Sequence, residues 1–163
     1  MMKRNSLYTL VTLLLLGLTS CEKHSFYDQY QRVDGAWAKE DVKTFTVVQE
    51  DTLSAYNLFL NIRNNKEYPF SNLFIILKME LPDSKVLVDT LEYQMARPDG
   101  TLLGVGFSDV KENKLWLKEG YVFPKSGTYQ LKVEQAIREI GEVEGVQKLK
   151  GISEIGIQID KAE

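Results

Sequence analysis

Two hydrophobic patterns divide the chain. Residues 7–18 (LYTLVTLLLLGL) are almost continuously apolar, whereas from about residue 44 onward apolar side chains recur at alternate positions. The first pattern covers 12 residues. That fits the ~7–15 residues of a secretory signal core and falls short of the ~20 that a membrane-spanning helix needs. Lys3 and Arg4 precede it, and Leu18, Thr19, Ser20 and Cys21 follow. A cationic start, an apolar core and a small-residue exit predict a leader over residues 1–20 that is removed from the mature protein.

The second pattern has the period of a half-buried β-strand. Residues 44–48 (TFTVV) form a short β-branched run. In 55–63, Tyr56, Leu58, Leu60 and Ile62 share one face, with Asn57, Asn61 and Arg63 opposite. In 71–81, Leu73, Ile75, Leu77, Met79 and Leu81 align, while Phe74 and Ile76 on the other face predict partial cover on both sides. Further strands are expected at 86–95, from 115, at 128–133 and at 151–160, the last with Ile155, Ile157 and Ile159 on one face. Turn chemistry separates them: Pro82-Asp83-Ser84, Pro98-Asp99-Gly100 and Pro124-Lys125-Ser126-Gly127. Residues 64–69 read as a polar loop, 109–114 (DVKENK) as a charged loop, and 135–140 as either a helical turn or a strand continuation. Seven to nine short strands without a helical stripe predict an all-β fold, a single antiparallel β-sandwich over 37–163 with an immunoglobulin-like, C2-like or jelly-roll-like order. Residues 21–36 show no clean period and read as a tether.

Composition narrows the function classes. Loss of Lys3 and Arg4 with the leader leaves 18 basic against 23 acidic residues, a net charge of −5. Nucleic-acid binding needs clustered Lys and Arg, so no nucleic-acid partner is expected. One histidine (His24, in the tether) and one cysteine (Cys21) exclude a Ser–His–acid triad and a zinc site of His and Cys ligands. Gly104-Val105-Gly106 reads as a turn or bulge rather than a phosphate loop, since no third glycine or helix follows. No enzyme activity and no cofactor are expected. Asp99, Asp109 and Glu112 lie in predicted loops and are the set that would serve a loop-end calcium site. Trp37, Trp116, Tyr68, Phe70 and Tyr121 are the aromatics that would build a binding face, and Tyr68-Pro69-Phe70 is the candidate partner-binding loop because a loop aromatic need not be buried.

Leu18-Thr19-Ser20-Cys21 resembles the lipobox of bacterial lipoproteins, which implies lipidation of Cys21 as the first mature residue. The middle of the chain carries a broader resemblance. Residues 56–64 (YNLFLNIRN), 68–73 (YPFSNL), 89–93 (DTLEY), Pro98-Asp99-Gly100 with Leu103-Gly104, 111–114 (KENK), 135–138 (QAIR), Gly151-Ile152 and Ile155-Gly156 together resemble the GldH gliding-motility lipoproteins of Bacteroidetes. The resemblance implies a lipid-anchored cell-envelope protein, outer-membrane in location, noncatalytic, with protein partners in the gliding or a related envelope machinery. It carries over a role for Cys21 alone, and Trp116 is not carried over. An alternative reading is a surface glycan-binding sandwich of a polysaccharide-uptake system, which requires coplanar, exposed aromatic rings.

Overall fold

The computed structural model describes residues 25–163 apart from 107, 139, 140, 142 and 143. The leader, Leu18, Thr19, Ser20, Cys21 and His24 therefore lie outside the described residues. Among the described residues ten strands run β1 (Tyr27–Arg32), β2 (Ala36–Ala38), β3 (Lys43–Gln49), β4 (Ala55–Asn64), β5 (Asn72–Glu80), β6 (Val86–Gln94), β7 (Lys111–Val122), β8 (Gly127–Gln135), β9 (Lys148–Lys150) and β10 (Ile152–Lys161). One sheet has the order β1-β10-β4-β7, a second the order β3-β8-β5-β6, and β2-β9 is a two-stranded ribbon. Every pairing is antiparallel.

The predicted alternation becomes the core. Leu58, Leu60 and Ile62 of β4 and Ile155, Ile157 and Ile159 of β10 are buried on the inner face of the first sheet. Phe45 and Val47, Leu73 through Met79 at alternate positions, and Tyr129, Leu131 and Val133 fill the facing side. Each fully buried Leu, Ile or Phe contributes about 1.5–3 kcal/mol relative to exposure. The consecutive strands β4 and β5 lie in different sheets, so the loop at 65–71 crosses between layers.

Side chains close the sandwich along its two open sides. Tyr93 Oη donates to the Trp116 carbonyl at 2.6 Å, and Lys118 pairs with Asp89 at 2.7 Å, joining β6 to β7. Opposite, Gln31 Nε2 donates to the Thr44 carbonyl at 2.6 Å and Lys43 Nζ to the Arg32 carbonyl at 2.9 Å, joining β1 to β3.

Three local readings are corrected. Part of the segment read as a tether is strand β1, paired over six residues with β10. Its polar sequence (YDQYQR) hides the strand because an edge strand with one solvated face shows little apolar contrast. The charged segment 109–114 contains the start of β7 at Lys111, whose charged side chains stand on the solvated side or at the edge. Residues 136–138 lie beyond the end of β8 and are neither helix nor strand. The three predicted turns stand as read; at Pro98-Asp99-Gly100, for example, Gly100 N donates to the Arg97 carbonyl at 2.9 Å.

The strand directions sort the connections into two ends. Ser25 and Phe26, the turns 50–54, 81–85 and 123–126, and the C-terminus share one end, next to Tyr56, Ile159 and Val122. The ribbon β2-β9, the loop 65–71 and the described parts of 95–110 and 136–147 share the other. Strands of nine or ten residues at ~3.3 Å each separate the ends by about 30 Å.

Trp37 pins the ribbon at that far end. It is wholly buried, and its Nε1 donates to the Asp41 carbonyl at 2.8 Å. Trp37→Ala is expected to lower the unfolding free energy by about 3–5 kcal/mol, as for other buried large-to-small changes. Trp37→Phe retains most of the packing and is expected to lose about 1–3 kcal/mol, from the orphaned Asp41 carbonyl and the smaller ring. Urea unfolding of the two variants checks this ranking; equal and small losses would show that the ribbon is not part of the cooperative core.

Candidate interaction surfaces

The outer face of the β1-β10-β4-β7 sheet is an ordered grid. Strand register sets its rows: Arg32, Glu154, Arg63 and Glu112; then Tyr30, Gly156, Asn61 and Lys114; then Asp28, Gln158, Phe59 and Trp116. Arg63 is the hub of the first row. Its Nε pairs with Glu112 Oε2 at 2.9 Å, its Nη1 pairs with Glu154, and its guanidinium lies 4.8 Å from the centre of the Tyr30 ring. Tyr30 Oη donates to Glu112 Oε1 at 3.0 Å. The ring lies over Gly156, where a Cβ would come within 2.7 Å of it. Glycine is the residue that lets the tyrosine ring lie so close to the sheet.

The lower rows continue the pairing. Lys114 Nζ binds Asp160 at 3.1 Å and stands 4.0 Å above the Phe59 ring, which packs at 4.4 Å against Trp116. Asn61 is 1% exposed and donates to Gln158 Oε1 at 3.3 Å. Acids and bases nearly balance, with Asp28, Glu112, Glu154 and Asp160 against Arg32, Arg63 and Lys114. Partial burial, then the nearby Asp160 and Glu112, raise the Asp28 carboxyl above its usual range. Partial burial, then the hydrogen bond to Glu112, push the Tyr30 phenol up to about 12.

The predicted partner loop divides at the far end. Tyr68 is 5% exposed, donates to the Asn72 carbonyl at 2.6 Å and packs edge-on against Phe70, so the expectation of an exposed Tyr68 is corrected. The cause is Gly151, which has φ +78° and carries no Cβ where one would overlap the Tyr68 backbone. Its carbonyl accepts from Asn65 N at 2.9 Å, drawing the loop onto the β9-β10 corner. Pro69 is exposed and Phe70 half-buried. They line a recess of about 670 Å³ with Phe74, Ile137 and Arg138. A second recess of about 400 Å³ shares Phe74, Ile137 and Arg138, and adds Ile76, Thr90 and Glu134. Phe74 and Ile76, expected to be covered for part of the strand, are partly buried, and their outer side lines these open recesses.

The calcium candidates do not act together. Asp99 Oδ1 accepts from Thr101 N at 2.9 Å within its own turn, Asp109 pairs with Lys66 at 3.2 Å, and Glu112 is held by Arg63 and Tyr30. Among the described residues, no three His, Cys, Asp or Glu side chains form a group able to hold a metal ion. Gly104 and Gly106 flank Val105, which forms an antiparallel bridge with Glu112 through backbone bonds of 2.9 and 2.8 Å, so the backbone here is spent on the start of β7. Of the proposed aromatics, Trp37 and Tyr68 are core, Tyr121 is half-buried against Phe123, and Trp116 is 49% exposed but tilted 49° on Phe59. The Arg63–Tyr30–Glu154 cluster was not read from the sequence. Arg63 was visible as an outward residue of its strand, but its partners lie 33 to 91 residues away on other strands.

The raised Tyr30 phenol gives a pH test. A folded-state value above the unfolded ~10 means its contribution to stability is fully present below pH 10 and is lost as pH rises toward about 12. Tyr30→Phe is expected to remove one phenol titrating near 12 from the ultraviolet titration curve and to flatten that stretch of the stability profile. Loss of a phenol titrating near the ordinary 10 would contradict the grid.

Comparison with known proteins gives a consistent set of relatives. The family model described as GldH lipoprotein matches residues 25–159. The chain is 45% identical over 161 residues to the gliding motility lipoprotein GldH of Flavobacterium johnsoniae, covering 99% of this chain and 98% of that protein. It is 44% identical over 149 residues to a gliding motility lipoprotein GldH homolog of Christiangramia forsetii, covering 91% of each. Among solved structures, chains from infectious bursal disease virus (the Gx strain and a VP2 subviral particle) superpose with TM-scores of 0.37 and 0.35. Their identities are 11% and 9%, over 83% and 84% of this chain and 32% and 33% of theirs, too little likeness to argue from. Sequence match and near-complete mutual coverage agree: the chain belongs to the GldH lipoprotein family.

Proposed function

We propose that this protein is a lipid-anchored, noncatalytic accessory or scaffold of the gliding machinery or a related cell-envelope machine, held at the outer membrane through Cys21. The two-ended layout carries this reading. Ser25, four residues after Cys21, lies at one end of the sandwich, and the recesses beside Pro69 and Phe70 lie at the other. An anchor at one end leaves the far loops and the outer grid facing away from the lipid, where a protein partner can reach them. The carboxylates considered for chemistry each hold a structural partner, which suits a shaped surface better than an acid–base site. The glycan-binding alternative needs a platform of coplanar rings, and only Trp116 of its three expected aromatics is exposed.

The anchor and the surface are tested separately. Cys21→Ser is expected to abolish palmitate incorporation and to release the protein from the membrane fraction; unchanged labelling would overturn the anchor. A photocrosslinking residue at Phe70 in the anchored protein is expected to capture one or a few discrete envelope proteins, and Pro69→Asp with Phe74→Asp to abolish that capture while leaving the protein folded. Capture unaffected by these charges would remove the far-end recess as the partner surface.

A further inference from the structure

The turn at 50–54 holds an apolar side chain outward, uncovered by any of the described residues. Leu53 is 90% exposed. Its position is built rather than accidental: Asp51 Oδ1 accepts from Leu53 N at 2.9 Å and Ser54 N at 3.0 Å, while Asp51 Oδ2 accepts from Tyr56 Oη at 3.2 Å. These bonds, with that of the Ser54 side chain foremost, hold the Asp51 carboxyl well below the usual carboxylate range. Two further exposed apolar residues lie at the same end of the sandwich. Val122, 44% exposed, pairs with Ala55, and Phe26, 43% exposed, packs its ring 5.3 Å from that of Tyr56. Of the neighbouring charges, Lys161 stands 3.6 Å from Asp51 and Lys125 pairs with Asp83, while Glu50 of the same turn is exposed to solvent.

The covalent chain says what covers this patch. Ser25 is four residues after Cys21, and a fully extended chain of that length reaches about 14 Å at most. A lipidated Cys21 sits at the headgroups, so the chain at Ser25 cannot stand farther than about 14 Å from them, roughly twice the thickness of one interfacial layer. We propose that Phe26, Leu53 and Val122 form a membrane-contact patch that rests in the lipid interface and sets the sandwich upright, with the far-end loops raised from the bilayer. The occupant is a lipid surface. Apolar side chains at that depth leave water for the acyl boundary, and the paired charges around them need not be buried.

This inference rests on the anchor at Cys21, and one experiment separates the two. The lipidated protein is reconstituted in vesicles of phosphatidylethanolamine and phosphatidylcholine, with a nitroxide at Leu53→Cys or, as far-end control, at Pro69→Cys. Acylation of the Cys21 sulfur leaves the introduced thiol as the one that reacts. Oxygen accessibility relative to a water-soluble nickel complex is expected to be several-fold higher at 53 than at 69. Flotation of the protein with a water-like label at 53, or spin–spin broadening there from a second copy, would overturn the patch while leaving the anchor. Failure to float would remove the anchor and the patch with it.

Discussion

The register between β4 and β10 is the constraint on which the rest of the structure depends. These two central strands pair from Tyr56–Lys161 to Asn64–Ile152, with one irregularity near Ile152. Because side chains alternate faces, a slip of one residue would exchange the contents of the core and the surface. The observed register puts Leu58, Leu60, Ile62, Ile155, Ile157 and Ile159 inside, where their burial drives folding. It thereby also puts Phe59, Asn61, Arg63, Glu154, Gly156 and Gln158 outside in matching rows. The interaction grid is the other side of the hydrophobic core, aligned by the same hydrogen-bond ladder.

The grid shows how exposed pairs become ordered without being strong. Single surface ion pairs contribute about 0–1 kcal/mol. Here Arg63 touches two carboxylates and a ring at once, and Tyr30 donates to one of those carboxylates while its ring rests over Gly156. Each contact limits the freedom of the next, so the outcome is a defined shape more than a large gain in stability. Such a surface can be recognised by a partner with little further ordering of its side chains.

Direction is the second consequence of topology. All long strands run between the same two ends, and the start of β1 lies beside the C-terminal part of β10. The start of β1 therefore lies at the end with short turns, while the long connections and the Pro69–Phe70 recess occupy the opposite end. Side-chain bonds between β6 and β7 and between β1 and β3 join the layers, so the two ends belong to one rigid sandwich.

The period-two pattern of residues 44–48, 55–63, 71–81, 128–133 and 151–160 was enough to place most of the core, because a strand between water and an apolar layer must alternate. Turn residues were legible for a similar reason: proline and glycine restrict or release φ locally, whatever the rest of the chain does. Edge strands were not. β1 and the beginning of β7 carry polar and charged residues on both sides of the backbone, and pairing with β10 and β4 alone makes them strands. The exposed reading of Tyr68 failed through a contact made 83 residues away, at Gly151. Arg63 could be assigned to an outward face from its own strand, but Tyr30, Glu112 and Glu154 meet it only after three other strands have paired in register. The all-β class, the core positions and the family were legible in the sequence, since each is carried by local order along the chain. The sheet order, the surface grid and the end at which β1 begins came only from the tertiary structure, because those depend on residues brought together from distant strands.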